Sequence, residues 1–595
     1  MLAVDVNVDA SEKFQTIDGF GTSLGGYTPM KLTDSWQLQD LYYEDLGSSI
    51  FRTQLSFSIL KADDGNLATP VVLGPDINKN IRKFDFGANS IEQFGNFAKG
   101  SLKRKLDEVK IIGSIWSPPH WMKGPELSPY SGKPNGIMPK LDYTSFGGAV
   151  NASGGSLINT DANLTQFGRY VAAYVKGFER AYGVPLYAIS IQNELAFHEP
   201  YHSCVYTPEL YVNAVKAVSR WFRKEHIKTK LLGPEDVGVG SEKDPYILAR
   251  QMDYIKALRA DREAYEAIWG YAIHGYANDG ITPQRSPAMW DQYWNGRSGQ
   301  PTWKGIEKDN KPSWMTEISG GSQTWPSAMR LAKNIQDALV YGNASAWVFW
   351  GISSAPGTKA DEALTNGTNS KANKYVATKH FFRYVRPGAV RLATNATNPE
   401  GVYVSAFSHD KNRTLTSVLI NATDKRRSVQ LNLSGLRIER LSSGYLSTEG
   451  AAWRRMRIVR LENGVATLSL PAQSIMTLQG TTARKAAPSN APGSIRGVAF
   501  GDTNSNGKYD AKSSDTVSVG KTIFLDSNAN DRLDLGERLT KTDAQGRFGF
   551  DDLKPGIYRV RRVLPGGFSY STEPIRLKLE AGQDATGLYI GSKKA

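Results

Sequence analysis

Short apolar runs dense in β-branched and aromatic residues alternate along most of this chain with longer segments whose apolar residues recur every three or four positions. The first pattern is that of strands buried on both faces, the second that of amphipathic helices. Strands are predicted at Gln15–Gly21, Ser49–Leu55, Val109–Trp116, Tyr187–Gln192, Thr229–Pro234, Ile268–Tyr276, Ser313–Ile318 and Ala344–Trp350. Helices are predicted between them, for example over Leu164–Tyr182 and Pro208–Lys224. Eight such units over residues 17–388 predict an α/β fold, a (β/α)8 TIM barrel with insertions. A doubly wound open sheet is the alternative, but no phosphate-cradling glycine fingerprint follows any of these strands.

From about Ala389 the helical period disappears. Val402–Ala406, Leu415–Ile420, Val429–Leu433, Val465–Leu470 and Ile475–Leu478 alternate with a period of two, which predicts a β-sandwich over 389–480. Residues 1–16, including the alternating Val4–Val8, are expected to add strands to it, since nothing else nearby would cover their edges. Thr481–Ser494, rich in Ala, Pro, Ser and Thr, reads as a linker. Residues 495–595 form a third, all-β unit of short strands joined by turn residues.

The length of 595 residues is too great for one core and fits two or three domains. A single cysteine, Cys204, excludes an intrachain disulfide and a cysteine zinc site. Cys204 and His202 would suit a nucleophile and base, but no third orienting group is visible. The net charge of +14 would suit nucleic acid, an anionic polysaccharide or a cell-wall surface. The basic residues are scattered, with only short clusters such as Lys103–Lys105 and Arg561–Arg562, so a solvated basic surface is expected and a nucleic-acid partner is not. No stretch is apolar enough to span a membrane, and the N-terminus lacks a signal-peptide pattern. The modules described next nevertheless suit a secreted or cell-surface protein whose signal lies outside this chain.

Candidate chemistry sits at the strand ends. Tyr187–Leu195, YAISIQNEL, stops abruptly in Asn193 and Glu194, and Ser313–Ser319 carries Glu317 at its tip. The C-terminal ends of barrel strands are where such enzymes keep their reacting groups, and two carboxylates there make a glycosidase-like pair. Either glutamate alone is equally well a strand-end carboxylate bound to a neighbouring Arg or Lys. Their joint occurrence in the repeating framework favours catalysis.

Residues 15–480 resemble glycoside hydrolase family 30. The resemblance rests on Ile17-Asp-Gly-Phe-Gly21, Ser114-Ile-Trp-Ser-Pro-Pro-His-Trp-Met-Lys123, Ser190-Ile-Gln-Asn-Glu194, Trp314-Met-Thr-Glu317 and His380-Phe-Phe-Arg-Tyr-Val-Arg-Pro-Gly-Ala-Val-Arg391. It implies that Glu194 is the general acid/base and Glu317 the nucleophile of a retaining mechanism. In that frame Asn193 would hydrogen-bond the sugar 2-hydroxyl, Arg52 would keep Glu317 charged, and Tyr276, in His274-Gly-Tyr276, would donate to the same carboxylate. His274 itself is a candidate substrate contact. Trp116 and Trp350 would stack on a pyranose ring, with Trp121 and Trp325 extending the platform or serving as plain core. Glu235, and Glu199 after the acid/base loop, would contact sugar hydroxyls or form local salt bridges.

Two departures narrow the substrate. The residues after the first Gly-Phe-Gly, Thr22–Gly26, include no acid, unlike the glucosylceramidase-like members, which argues against a terminal glucose pocket. The loop Gly351–Gly357 lacks the Arg and Tyr with which glucuronoxylanases hold a uronic acid, although Lys359 or Arg383 could contact an acid differently. The expected function is therefore a secreted endo-β-glycanase acting on xylan, β-1,6-glucan or β-1,6-galactan. An exo-acting β-glycosidase and a non-catalytic surface carbohydrate-binding protein are the alternatives. A monomer is expected, with no cofactor for catalysis.

In the third unit, Asp526, Asn528, Asn530, Arg532 (through its carbonyl), Asp534 and Glu537 stand at positions 1, 3, 5, 7, 9 and 12 of a calcium loop, a cage of hard oxygens. Asp531 replaces the usual glycine at position 6. Asp502, Asn504, Asn506, Lys508 and Asp510 repeat the spacing with Gly507 in place but Ser513 at position 12, so the second loop is expected to bind more weakly or to borrow Asp515. This unit resembles the calcium-binding B-type, prealbumin-like repeats of bacterial surface proteins. That resemblance implies structural Ca2+ and an extracellular life.

Overall fold

A computed structural model describes residues 4–25, 30–55, 59–60, 69–104, 106, 108–124, 154–197, 202–237, 245–276, 287–296, 303–355, 361–394, 401–436, 438–456, 461, 465–482, 492–510 and 515–595. The chain divides into two compact units, Met1–Ala483 and Arg484–Ala595.

Within the first unit, eight parallel strands close into a barrel: Gly19–Ser23, Ile50–Leu55, Lys110–Ile115, Ala188–Ser190, Lys230–Asp236, Ile268–His274, Ser313–Glu317 and Ala346–Ser354. Closure comes from the last strand, which pairs with the first at Phe20–Trp347 and with the seventh at Trp314–Ala346. Ile50, Ile112, Ala188, Leu232, Ala272, Trp314, Ala346 and Val348 fill the barrel interior as a separate apolar cluster. The larger core lies between the strands and the surrounding helices. Those helices are closed by local signals. Thr160 caps Asp161–Tyr182 by accepting from the Asn163 N–H, and Gly183, at φ 73°, ends it in the left-handed conformation. Thr207 caps Pro208–Lys224, with proline in the first turn.

The (β/α)8 expectation is borne out, with one shift. The predicted first strand, Gln15–Gly21, splits between two sheets. Val4–Thr16 runs in the sandwich, and the barrel strand begins only at Gly19. At the division the Gln15 side chain donates to the carbonyls of Leu339 (2.7 Å) and Ala344 (3.0 Å) on the barrel side and accepts from Arg391 of the sandwich, so it bridges the two. Gly21 is required by contact, because a Cβ there would lie 1.6 Å from the Ile50 carbonyl oxygen.

In the sandwich sheet, Val4–Thr16 lies parallel to Arg427–Ser434 and antiparallel to Val390–Thr394. Val4, Val6, Val8 and Ala10 point inward, against Val429, Leu431 and Leu468. The second unit is all-β, with Gly493–Gly501 at the centre of one sheet and Thr522–Leu525 and Gly556–Arg562 in another. Ile495, Ile523, Phe548, Phe550, Val560 and Ile590 form its core. No helix among the described residues is long and apolar enough to cross a membrane.

Gly21→Ala should force the first two barrel strands apart, an overpacking cost of about 1–3 kcal/mol or more. Its melting temperature, followed by circular dichroism, is expected to drop by several degrees, whereas Gly74→Ala, whose Cβ meets nothing within 4 Å, leaves it unchanged.

Candidate active site

Five polar side chains converge at the C-terminal mouth of the barrel. Arg52 comes from the second strand, Glu235 from the fifth, His274 from the end of the sixth and Glu317 from the end of the seventh. Glu194 follows the fourth strand in an unusual backbone state, with φ 50°. Its N–H donates to the Glu235 carbonyl at 2.7 Å, and the Asn193 N–H donates to the Ile115 carbonyl at 2.7 Å. The acid-bearing turn is thus pinned between the tips of strands three and five. A non-glycine residue in the left-handed region costs about 1–3 kcal/mol and persists only when its surroundings fix it.

One carboxylate oxygen of Glu194, one of Glu317 and one ring nitrogen of His274 all lie within 4.8 Å of one another. Arg52 is fully buried. It donates from Nη1 to Glu317, and from Nη2 to Asn193 Oδ1 at 2.7 Å and Ser114 Oγ at 3.2 Å, and that nitrogen lies 3.1 Å from Glu235 Oε1. The Ser114 hydroxyl donates to Glu235. His274 Nδ1 lies 2.8 Å from Glu194 Oε1, and its Nε2 lies 3.5 Å from Glu235 and 3.8 Å from Glu317. The Tyr276 hydroxyl donates to Glu317 Oε1 at 3.2 Å and lies 3.1 Å from Ser319 Oγ.

The cluster sets its own charges. Burial alone would raise the Glu235 carboxyl, but Arg52, His274 and Ser114 hold it down at about 2. Burial would likewise discharge His274, yet the carboxylates of Glu317, Glu194 and Glu235 push it up to about 10. Glu317 moves up from the ordinary carboxylate range because it is buried and because Glu194 faces it, against the pull of His274 and Arg52. Glu194, His274 and Glu317 are spaced like metal ligands. A protonated imidazole has no lone pair to offer, however, and Arg52 already contacts Glu317. The positive charge that a cation would bring is already present.

Trp116 and Trp350 line the same mouth, their ring centroids 5.6 Å apart and tilted by 42°. The Arg52 guanidinium lies 4.8 Å from the first centroid and 5.9 Å from the second. Trp350 and Trp121 are half-buried and Trp116 is buried.

The structure decides between the alternatives left open for Trp325 and Glu235, and it removes Arg383 as an acid contact. Trp325 is not part of an aromatic platform: it is buried, starts a helix, and donates its indole N–H to the Gln473 carbonyl of the sandwich at 2.6 Å. Glu235 is buried to 1% exposure and fully engaged, so it holds Arg52 and His274 and presents no oxygen to a sugar. Arg383 donates to the carbonyls of Glu44 and Asp45, which lead into the N-terminal end of the second strand, the far end of the barrel from this site. Glu199, Lys359 and Ser513 lie outside the described residues. Sequence reasoning missed the roles of Ser114 and Ser319. Alternation along the third strand, with Ser114 two residues before Trp116, is the signal that points Ser114 inward.

Over their first nine residues the two loops of the second unit share a backbone pattern. Positions 4 and 6 are left-handed in both: Ser505 (φ 59°) and Gly507 (φ 72°) in one, Ala529 (φ 65°) and Asp531 (φ 60°) in the other. The Asp502 carboxylate accepts from the N–H groups of Asn506 and Gly507, as Asp526 does from those of Asn530 and Asp531. Asn528 and Asn530 both reach Asp534, and Asn506 reaches Asp510. The Asn504 side chain accepts from the Asn506 N–H, and Lys508 and Arg532 contribute backbone at the seventh position. Glu537 accepts from Ser527 and Asp534 N–H groups, and Asp515 does the same for Thr503 and Asp510. Asp515 therefore stands where Glu537 stands, two residues later in the loop.

Two carboxyls this close at the mouth of a closed parallel barrel form an arrangement that retaining glycoside hydrolases use. Residues 388–478 match the glycosyl hydrolase family 30 beta sandwich domain. The chain is 26% identical over 278 residues to glucuronoxylanase XynC of Bacillus subtilis (strain 168), covering 44% of this chain and 55% of that protein. It thus spans about half the length of this curated relative. Among solved structures, a GH30 endoxylanase from Clostridium papyrosolvens C71 aligns with a TM-score of 0.59 at 22% identity, covering 80% of this chain and 100% of that one. An endo-β1,6-glucanase aligns with a TM-score of 0.56 at 18% identity, covering 81% and 94%.

Glu235→Gln leaves Arg52 and His274 short of one counter-charge, and breaking a buried pair costs about 3–5 kcal/mol. The raised His274 contributes stability that is full below about pH 6.5 and is lost as pH rises through about 10. The depressed Glu235 contributes stability present above about pH 4.5 and lost as pH falls through about 2. Thermal melting across pH is expected to show the variant's alkaline decline beginning at lower pH than in the parent. Superimposable profiles would contradict this account of the site.

Proposed function

We propose that the protein is a secreted, retaining, endo-acting glycoside hydrolase that cleaves a β-linked polysaccharide by double displacement. The observation that carries this reading is the approach of the Glu194 and Glu317 carboxyls within 4.8 Å. Retaining enzymes need about 5–5.5 Å, whereas inverting ones need about 6.5–9.5 Å to admit a water.

In the first step Glu194 gives its proton to the glycosidic oxygen, which leaves with the bond electrons, while a Glu317 oxygen bonds to the anomeric carbon. In the second step Glu194 takes a proton from water, the water oxygen bonds to the anomeric carbon, and Glu317 departs as carboxylate. Arg52 and Tyr276 aim and polarise Glu317. Asn193, its Oδ1 held by Arg52, is placed to hydrogen-bond the sugar 2-hydroxyl. Trp350 and Trp121 offer partly exposed rings for sugar stacking.

Xylan and β-1,6-glucan are the backbones favoured by the named relatives, and β-1,6-galactan is the third candidate. The uronate-holding Arg and Tyr are missing after strand eight, so cleavage is not dictated by a uronic acid at that loop. Product sizing on xylan, β-1,6-glucan, β-1,6-galactan and mixed-linkage glucan distinguishes these backbones, and oligosaccharide products of several lengths are expected from one. Glu317→Gln should lower kcat by about 10^3-fold or more, and azide should rescue Glu317→Gly with a product of inverted anomer. Wild-type turnover by either variant removes the assignment.

For the second unit we propose structural calcium in both loops. Its donors are carboxylate, amide and backbone oxygens, the hard set that suits a large cation. Chelation by EDTA is expected to lower the melting temperature of the intact chain's second transition and to leave hydrolysis of soluble oligosaccharides unchanged. A melting profile indifferent to EDTA and to added Ca2+ would refute the assignment.

A further inference from the structure

At the opposite end of the barrel from the carboxyl pair, a cavity of about 410 Å3 opens between the C-terminal end of helix Pro208–Lys224, the turn that follows it, and the first residues of strands five and six. Its size falls within the range of about 300–1,000 Å3 typical of small-ligand sites. Arg223, His226, Lys228 and Lys230 line it, together with Phe222 and Trp269, and no acidic residue does.

The acids nearby have cations of their own. Glu225 pairs with Lys176 at 2.9 Å, and Glu263 with Arg220 at 2.8 Å and Arg223 at 2.9 Å. None of the described carboxylates forms an ion pair with Lys228 or Lys230. His226 and Lys228 are exposed, with His226 held at φ 53° in the turn. Lys230 spends one donor on the Tyr187 hydroxyl, at 2.6 Å, and sits 4.0 Å from the Trp269 ring centroid. Trp269 is braced edge-on by Tyr187 and Trp314, at centroid distances of 5.6 Å. The result is a rigid indole wall beside an excess of positive charge.

We propose that this cavity is a second glycan-binding site, which captures an acidic sugar, a uronic-acid unit of the polysaccharide, away from the catalytic cleft. The carboxylate meets Lys228, Lys230 and the His226 imidazole, and the sugar lies against the partly exposed edge of Trp269. The proposal rests on the reading of the protein as a polysaccharide hydrolase. It assigns uronate recognition to the N-terminal end of the barrel, where it anchors the enzyme without selecting the bond cleaved. A net charge of +14 fits an anionic polymer as partner.

The test uses the full chain carrying Glu317→Gln, run by affinity electrophoresis through gels of glucuronate-bearing xylan and of the same xylan with its carboxyls reduced to alcohols. In that background Lys228→Glu with His226→Asn, the asparagine tolerating the left-handed turn, should weaken binding to the acidic polymer about tenfold and leave the reduced polymer unaffected. With Glu317 restored, the pair of substitutions should keep hydrolysis of short oligosaccharides within about twofold of the parent. Equal retardation of parent and variant in the acidic gel overturns the site. So do loss of binding to both polymers and equal retention of the parent by sulfated dextran, which would mark a polyanion surface. If Glu317→Gln digests the gels, the nucleophile assignment fails while the mobility difference still reports on this cavity.

Discussion

One buried guanidinium organises the C-terminal mouth of the barrel. Arg52 has no water to solvate it, and isolated charges of that kind cost several kcal/mol. Its two terminal nitrogens are instead spent on Glu317, Glu235, Asn193 and Ser114, groups contributed by strands seven, five and three and by the segment after strand four. Satisfying one side chain therefore fixes the relative heights of four strand ends. The turn carrying Glu194 is held by the backbone of the same Glu235 whose side chain meets Arg52. The placement of the carboxyl pair follows from desolvation, because a slip would leave a buried charge without its counter-charge.

What the sequence disclosed tracks how local the cause is. Period and strand-end composition are local, so all eight barrel strands and the two strand-tip glutamates could be placed from residue order alone. The split of the first strand was not legible, because the contacts Gln15 makes there, to the carbonyls of Leu339 and Ala344, lie more than three hundred residues away in the chain. Trp325 stayed undecided for the same reason: only the fold brings the Gln473 carbonyl to its indole. For Glu235 the sequence left a sugar contact and a salt bridge open, because its place at a strand end is visible there while its burial against Arg52 is a tertiary fact.

The two loops of the second unit show where a residue-by-residue match misleads. Asp531 breaks the usual glycine rule, yet it adopts the left-handed state that the rule encodes, at φ 60°, and donates to Asp526 as Gly507 does to Asp502. Arg561 engages its side chain, so part of the conformational cost is offset by an ion pair. Asp515 replaces a glutamate two positions earlier, because a shorter side chain on a longer loop reaches the same pair of N–H groups. Geometry is kept while residue identity and spacing drift together.

The presence of a third carboxylate beside the pair has its own logic. The proposed mechanism starts with Glu194 protonated, which leaves two carboxylate charges to balance Arg52 and the protonated His274. In the proposed glycosyl-enzyme intermediate Glu317 is an uncharged ester and Glu194 an ionised base, and with Glu235 the count is again two against two. Without Glu235, Arg52 would lose its principal counter-charge just as the ester forms, in a pocket too dry to supply another. A cluster that stays neutral through both steps pays no repeated reorganisation cost, which is the condition under which preorganised charges lower a barrier. The same balance accounts for a carboxylate that is held ionised yet touches no solvent: its partners require it in every state of the cycle.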